Sequence, residues 1–89
     1  MNIEDLRNQI DSIDDELVRL FVKRMELSKH VANYKKAHNL PIYVPSREHE
    51  ILQKVAMKAG PDLENYTREL YSKIFELSRN YQHQSTEVI

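Results

Sequence analysis

The sequence predicts an all-α fold with three helices per chain, one long, one short and one medium, paired in a homodimer. Apolar residues recur at steps of three and four along each segment, which is the period of an amphipathic helix. The prolines and the one glycine cluster in two short stretches and leave helices at about 2–37, 46–59 and 62–83. No segment has the alternating apolar and polar residues of a strand pair. The length of 89 residues suits one domain, so residues 1–89 are expected to form a single domain.

The first segment carries an apolar seam on a helix too long for a small monomer. The seam consists of Ile3, Leu6, Ile10, Ile13, Leu17 and Leu20, and it resumes at Leu27, Val31 and Tyr34. About 35 helical residues make a rod of ~50 Å, whereas a compact domain of this size is only ~30 Å across. A monomer would leave part of the seam in water. We therefore expect two long helices to pack together in a homodimer.

Residues with well-defined capping roles delimit the two shorter helices. Ser46, directly after Pro45, is predicted as the N-cap of the second helix. Gly60 is predicted as its left-handed C-cap, because glycine tolerates a positive φ. Asp62 is predicted to cap the third helix, and the tail HQSTEVI is predicted to fray.

Composition argues against several classes of function. The net charge is about −1, so we expect neither a nucleic-acid partner nor a membrane partner. The absence of cysteine rules out disulfides, thiolate catalysis and cysteine metal sites. The four histidines lack metal-ligand spacing, and no glycine-rich phosphate loop occurs. No apolar run approaches ~18 residues, and the acidic start lacks the apolar core of a signal peptide. We therefore expect a cytoplasmic protein.

Arg24 occupies the seam position after Leu20, where an apolar residue is expected. An arginine in a seam must be paired or contact a ligand, because an unpaired buried charge is costly. Two interpretations stay open, a register-setting salt bridge to a neighbouring helix or a contact with an anionic ligand. Lys35 lies three turns further along the same face. It either points towards the same ligand or is simply solvated.

Polar residues on the two shorter helices are further candidates for a site. Ser78 and Gln82 are spaced i,i+4 and share a face, which is either plain surface or the edge of a pocket. Arg47 and Glu48 lie near the N-terminus of the second helix, where backbone N–H groups attract anions. Glu48 can alternatively serve as a capping residue. An enzyme with these residues would use positioned charges and hydrogen bonds, without a nucleophile or a metal.

In their order and spacing these segments resemble the AroQ class of all-helical chorismate mutases over nearly the whole chain. The matching segments are LR at Leu6-Arg7, KRMELSKHVANYK at 23–35, PSREHEIL at 45–52 and IFELSRNYQ at 74–82. The resemblance implies an intertwined homodimer whose two active sites are shared between subunits. It also implies the Claisen rearrangement of chorismate to prephenate, on the route to phenylalanine and tyrosine, with no cofactor.

The resemblance implies roles in substrate binding and catalysis for the candidate residues of the first and third helices. Arg24 and Arg7 of the partner subunit would bind the two substrate carboxylates, a task that suits a planar guanidinium. Lys35 and Gln82 would donate hydrogen bonds to the ether oxygen. Arg7 and Arg24 are ~25 Å apart along one helix, so one small dicarboxylate cannot contact both in the same chain. An antiparallel partner helix can bring them together.

The remaining roles come from the second and third helices. Glu48 would accept a hydrogen bond from the ring hydroxyl, and Arg47 and Ser78 would complete the carboxylate environment. Val44 departs from the family, because many relatives have Asp at this position. If that Asp acts through its backbone N–H, Val44 can replace it. If the side chain matters, hydroxyl binding is weaker here.

Two other functions compete with the mutase. Isochorismate pyruvate lyase shares the fold and the basic residues, but its residue at the position of Glu48 is apolar, so Glu48 favours the mutase. A non-catalytic helical dimerisation module would not require the combination of Arg7, Arg24, Lys35, Glu48 and Gln82. The sequence leaves open the rates, any feedback regulation and whether the domain belongs to a bifunctional enzyme.

Overall fold

A computed structural model describes residues 1–86 of the chain. Three α-helices account for most of these residues: α1 at Ile3–Ala37, α2 at Pro45–Ala59 and α3 at Glu64–Thr86. No strand occurs among the described residues, which confirms the predicted all-α class. The chain measures 54 × 29 × 14 Å, and its radius of gyration is 16.2 Å. A compact chain of this length would have a radius of only ~12 Å, so the single chain is elongated.

α1 is a continuous rod whose ends carry complementary charges. Asn2 is its N-cap, and the Asn2 side chain accepts a hydrogen bond from the Asp5 backbone N–H at 2.9 Å. This cap explains why α1 begins one residue later than predicted. Lys35 and Lys36 lie in the last turn, where positive charge stabilises the helix dipole. His38 ends the helix with its backbone N–H directed at the carbonyls of the last turn.

α2 begins at Pro45, one residue earlier than predicted, and its N-cap is Val44. The prediction of Ser46 as the N-cap is therefore wrong. Proline fits the first helical position, because its φ is already helical and its missing N–H needs no partner. Pro45 takes that position and places Ser46 inside the first turn. The Val44 carbonyl accepts from the backbone N–H groups of Arg47 and Glu48, which places both residues at the N-terminal end of α2.

The connection between α2 and α3 is a tight turn. Gly60 is the C-cap of α2, as predicted, and its φ of 85° is positive. The prediction of a left-handed conformation is wrong, because ψ is 169° and the left-handed helical region has ψ of about 47°. The prediction that Asp62 caps the third helix is wrong, because residues 61–63 form a turn and α3 starts at Glu64. The Leu63 N–H closes the turn on the Gly60 carbonyl at 3.3 Å.

α3 runs to Thr86, beyond its predicted end at residue 83. The predicted fraying of the tail is therefore wrong for residues 83–86, which continue the helix. Residues 87–89 of that tail lie outside the described residues. The extension adds helix beyond Gln82, so this side chain projects from the body of α3 and not from its end.

α3 packs against both other helices, whereas α1 and α2 each pack on α3 and not on one another. Small residues lie where the helices meet, with Ala32 of α1 and Ala56 of α2 almost completely buried. Among the described residues, Phe75 of α3 is the one large apolar side chain that is buried. The core of one chain is therefore small, and it contributes correspondingly little hydrophobic stabilisation.

The apolar seam of α1 is exposed in the single chain. Ile10, Ile13 and Leu17 are each more than half exposed, and every side chain from residue 1 to residue 20 is exposed. An apolar surface of this length marks an interaction surface on a small protein. Despite the seam, no helix within residues 1–86 has the length and apolar content needed to cross a membrane.

Candidate active site

A cavity of about 340 Å³ lies between the C-terminal half of α1, the start of α2 and the C-terminal half of α3. The loop 38–44, which joins α1 to α2, closes one side. The apolar part of the wall consists of Leu27, Val31, Ile42, Val44, Ile51 and Phe75. The volume and the mixture of apolar and polar walls are typical of a site for a small molecule.

Seven of the eight residues that the sequence singled out line this cavity. They are Arg24, Lys35, Val44, Arg47, Glu48, Ser78 and Gln82. Arg7 is absent from the cavity wall and is exposed near the N-terminus of α1. With Arg79, the wall carries four cationic side chains and one carboxylate. The net positive charge of the cavity favours an anionic ligand.

Arg24 lies over two aromatic rings. Its guanidinium carbon is 5.9 Å from the centroid of the Tyr71 ring and 5.7 Å from that of the Phe75 ring. No carboxylate among the described residues forms an ion pair with Arg24, so a register-setting salt bridge is not found within residues 1–86. Cation–π contacts stabilise the charge and leave the N–H groups available to a ligand.

Lys35 connects the cavity to the loop that covers it. Its ammonium group donates a hydrogen bond of 2.9 Å to the carbonyl of Ile42, and the contact is partly buried. An ammonium group has three donors, so this bond fixes the position of Lys35 and leaves further donors for a ligand. Lys35 is therefore not the freely solvated lysine of the alternative interpretation.

Ser78 and Gln82 belong to a buried hydrogen-bond chain between α3 and α1. The Gln82 amide nitrogen donates to the Ser78 hydroxyl at 3.0 Å, and Ser78 donates to the Ser28 hydroxyl at 2.8 Å. Both residues are less than a tenth exposed, so the interpretation as plain surface is wrong. The Gln82 side-chain oxygen is buried without a partner among the described residues. Orphaned buried polar atoms are rare in folded proteins, and this amide oxygen can accept a hydrogen bond.

The first turn of α2 carries two ion pairs of different character. Glu48 accepts hydrogen bonds from Arg79 on α3 at 2.6 Å, and both side chains are mostly buried. The Glu48 carboxylate therefore contacts α3, and no hydrogen bond to the N-terminus of its own helix accompanies this pair. Arg47 contacts Glu50 at 3.4 Å on the exposed side of α2. Such an exposed pair contributes little stability.

Glu50 has a perturbed titration, and it lies outside the cavity wall. A hydrogen bond from Lys54, together with the charges of Lys54 and Arg47, holds the pKa of the Glu50 carboxyl below its ordinary value. Glu50 also forms the ion pair with Arg47. A ligand in the cavity would therefore compete with Glu50 for the Arg47 guanidinium.

Two polar residues of the cavity wall were missed in the sequence. Ser28 lies four residues after Arg24, and Arg79 lies three residues before Gln82. Helical neighbours at these spacings share a face, so extending the pattern from the candidates would have included both. Nothing in the sequence indicated that Arg79 pairs with Glu48, because 31 positions separate them.

The fold and the cavity together define a small helical protein with a cavity of net positive charge. Residues 6–83 match the family described as chorismate mutase type II. The chain belongs to this family. Since the match begins before Arg7 and ends after Gln82, it spans every candidate residue of the site.

Curated relatives show the same family at the level of individual proteins. The chain is 49% identical over 57 residues to the T-protein of Haemophilus influenzae, covering 64% of this chain and 15% of that protein. It is 45% identical over 53 residues to the bifunctional chorismate mutase/prephenate dehydratase of Aquifex aeolicus, covering 60% of this chain and 15% of that protein. The chorismate mutase of Methanocaldococcus jannaschii is 34% identical to the chain over 53 residues, covering 60% of this chain and 54% of that protein. The matches thus cover about half of that relative and a small part of the other two. No solved structure matches the chain significantly.

Proposed function

We propose that this chain catalyses the rearrangement of chorismate to prephenate, within the biosynthesis of phenylalanine and tyrosine. The observation that carries the proposal is the cavity itself, where a chain of the chorismate mutase type II family collects four cations, one carboxylate and a buried amide. The substrate is a dianion with an ether oxygen and a ring hydroxyl. In the reaction a carbon–oxygen bond breaks while a carbon–carbon bond forms within one molecule. Positioned charges and hydrogen bonds are sufficient for such a step.

Carboxylate binding is assigned to the arginines at the two ends of the cavity. Arg24 would bind one carboxylate with the fork of its guanidinium, while the rings of Tyr71 and Phe75, 5.9 Å and 5.7 Å away, stabilise its charge. Arg47 would turn from Glu50 towards a carboxylate, an exchange that costs little because the pair is exposed. Ser78 would remain part of the chain that holds the amide of Gln82.

Stabilisation of the transition state is assigned to Lys35 and Gln82. Negative charge develops on the ether oxygen as the carbon–oxygen bond breaks, and both side chains have a donor to place there. Each is held by another hydrogen bond, Lys35 by the Ile42 carbonyl and Gln82 by Ser78. A preorganised donor of this kind contributes ~3 kcal/mol. Two donors and the selection of the reactive conformer together approach the ~8 kcal/mol that a 10⁶-fold acceleration requires.

Recognition of the ring hydroxyl is assigned to Glu48. A carboxylate offers about four lone-pair sites on its two oxygens, so Glu48 can accept from the hydroxyl while it keeps its contacts with Arg79. Val44 lines the cavity with an apolar side chain. The hydroxyl therefore depends on Glu48 more strongly than in relatives that have Asp at the position of Val44.

The active form is proposed to be a homodimer with two shared sites. The exposed seam of α1 supports this, because pairing would bury side chains such as Ile10, Ile13 and Leu17. The exposed position of Arg7 supports the sharing, because it stands ~25 Å along the helix from Arg24. Arg7 of the partner subunit would complete the binding of the second carboxylate. The cytoplasmic location and the absence of nucleic-acid and membrane partners stay predictions.

A chorismate assay tests the activity. We expect the purified protein to consume chorismate and produce prephenate without added metal or nucleotide, followed by absorbance and by chromatography of the products. Release of pyruvate in place of prephenate would point to a lyase. Absence of turnover with a correctly folded dimer would identify a non-catalytic dimerisation module.

Mixing inactive variants tests the shared site. Arg7→Ala and Arg24→Ala chains should be inactive separately, and their mixed dimer should contain one intact site and one doubly altered site. Random exchange makes half of all dimers mixed, so about a quarter of the wild-type activity should return. The matched control mixes Arg24→Ala with Lys35→Ala, two changes assigned to the same chain at each site, and should restore nothing. Recovery in the control, or none in the test despite proven exchange, contradicts the shared site.

A further inference from the structure

Arg79 connects two helices at the edge of the cavity, unlike the other ion pairs found between described residues. Those pairs join positions three or four apart within one helix, as in Glu16–Arg19 and Lys73–Glu76, and their side chains are more than half exposed. The Arg79–Glu48 pair joins α3 to α2, and the side chains are only 29% and 23% exposed. A partly desolvated pair constrains its members more strongly than an exposed pair does.

The contacts of Arg79 fix it on two sides. One terminal nitrogen donates to both oxygens of the Glu48 carboxylate, at 2.6 Å to Oε1 and 2.5 Å to Oε2. The guanidinium also lies over the ring of Tyr43, with 4.9 Å between its central carbon and the ring centroid. Tyr43 belongs to the loop 38–44, whose neighbouring residue Ile42 is held by Lys35. The loop, Arg79 and Glu48 therefore form one connected set of contacts.

These contacts determine where the Glu48 carboxylate can point. Glu48 lies in the first turn of α2, and its long side chain would otherwise sample several rotamers at a cost in entropy on binding. Bound to Arg79, the carboxylate stays on the cavity wall with lone pairs left over for a hydroxyl donor. The adjacent positive charge also offsets the repulsion between Glu48 and an incoming dianion.

We propose that Arg79 is a positioning residue that holds the Glu48 carboxylate ready to accept the hydrogen bond of the substrate's ring hydroxyl. The inference rests on the proposed function, since it concerns recognition of that substrate. Arg79 acts through Glu48 and does not itself bind a substrate carboxylate. It therefore contributes to selectivity for a hydroxylated ring and contributes little to the chemistry at the ether oxygen.

The test compares chorismate with an analogue that lacks the ring hydroxyl but keeps the ether and both carboxylates. We expect Arg79→Gln to lower kcat/KM for chorismate about 10-fold, the size of a typical coupling between contacting residues. The same change should alter kcat/KM for the analogue less than about 2-fold, because Glu48 has no hydroxyl to accept. Lys73→Gln is the matched control, since it removes an exposed ion pair from the same helix, and should leave both substrates unaffected.

A double-variant cycle separates positioning from direct binding. If Arg79 acts through Glu48, Arg79→Gln should change little in a Glu48→Gln background. Equal losses for chorismate and the analogue, or losses that multiply in the double variant, would mean that Arg79 binds the substrate directly, and would overturn the proposal. Full activity of Arg79→Gln would overturn it as well.

Folding measurements and an assay of the wild-type chain distinguish the possible causes of a negative result. Circular dichroism and thermal unfolding check that each variant folds. If Arg79→Gln does not fold, Arg79→Lys keeps the charge but not the fork, and should show a smaller loss that is still selective for chorismate. The wild-type chain is assayed first. If it does not rearrange chorismate, the proposed function fails and this inference fails with it, whereas an active wild type with an unselective Arg79 variant refutes this inference alone.

Discussion

The two halves of α1 have the same helical conformation and the same apolar period but different surroundings. From residue 1 to residue 20 every side chain is exposed, including Ile10 and Ile13 of the seam. Between Arg24 and Lys35 the helix contacts α3 through buried Ser28 and Ala32, and it lines the cavity. Within residues 1–86 the N-terminal half of the seam therefore has no packing partner, whereas Leu27 and Val31 of the other half line the cavity.

This difference indicates which requirement each half of the helix meets. The C-terminal half carries polar residues that the chain itself positions, through Ile42, Ser78 and the rings around Arg24. The N-terminal half carries apolar residues for which the described chain provides no partner. A second chain would provide it, and Arg7 lies in that half.

The largest effect is expected from a charge in the unpartnered half. Ile13→Glu places a carboxylate on the seam where Ile13 is 58% exposed in the single chain. At a surface this change costs less than ~0.5 kcal/mol, but an unpaired charge in an interface costs ~3 kcal/mol or more, twice in each symmetric dimer. We expect dissociation and loss of activity, measured by sedimentation and by the chorismate assay.

The control for the seam is an apolar residue exposed elsewhere. Met57 on α2 is 83% exposed, so Met57→Glu should change neither the mass of the assembly nor its activity. A dimeric, fully active Ile13→Glu protein would show that the N-terminal half is ordinary surface.

The second effect is expected from the donor in the cavity half. Lys35→Ala removes the ammonium group assigned to the ether oxygen, and kcat should fall ~10²–10³-fold. Its single bond to the Ile42 carbonyl is worth only ~1 kcal/mol of stability, so urea unfolding should change little. Lys29→Ala, an exposed lysine on the same helix, is the control. Unchanged kcat in Lys35→Ala would exclude Lys35 from the mechanism.

A smaller effect is expected from the buried link between α1 and α3. Ser28→Ala leaves the Ser78 hydroxyl without the acceptor that lies 2.8 Å away, at a cost of ~1–3 kcal/mol. Gln82 then loses part of its support, and we expect a fall in kcat of about 10-fold or less. Ser72→Ala changes an exposed serine of α3 and should have no effect. Equal kinetics in both variants would show that the link serves stability alone.

The smallest effect concerns pH and lies outside the cavity. Because Lys54 and Arg47 lower the pKa of Glu50 from its ordinary value of 4.5, the folded state binds this proton less readily than the unfolded state. The resulting stabilisation is present above pH 4.5 and is lost as the pH falls through the lower folded value. Glu50→Gln should therefore lower the Tm slightly at neutral pH and not in acid. High salt should remove the difference, since the groups are exposed. A difference that persists in acid would contradict this assignment.

The helices could be predicted from local pattern, but their caps could not. The three- and four-residue period located α1 to within one residue of its observed limits, because the seam and the absence of proline act within a few turns. Ser46 and Asp62 were wrong as caps. A proline at N1 and the turn after Gly60 decided where those helices begin, and both depend on how the chain enters the next helix.

The sequence by itself determined the helical class, the exposed seam and most of the polar residues that line the cavity. These properties depend on residue type and helical spacing, which are local. Only the tertiary structure decided that Ser28 accepts from Ser78 and that Arg79 holds Glu48. Those partners lie 50 and 31 positions apart, and many surface serines and arginines have the same local pattern. The packing of α3 against the other two helices selects them, because it brings these particular side chains within hydrogen-bond distance.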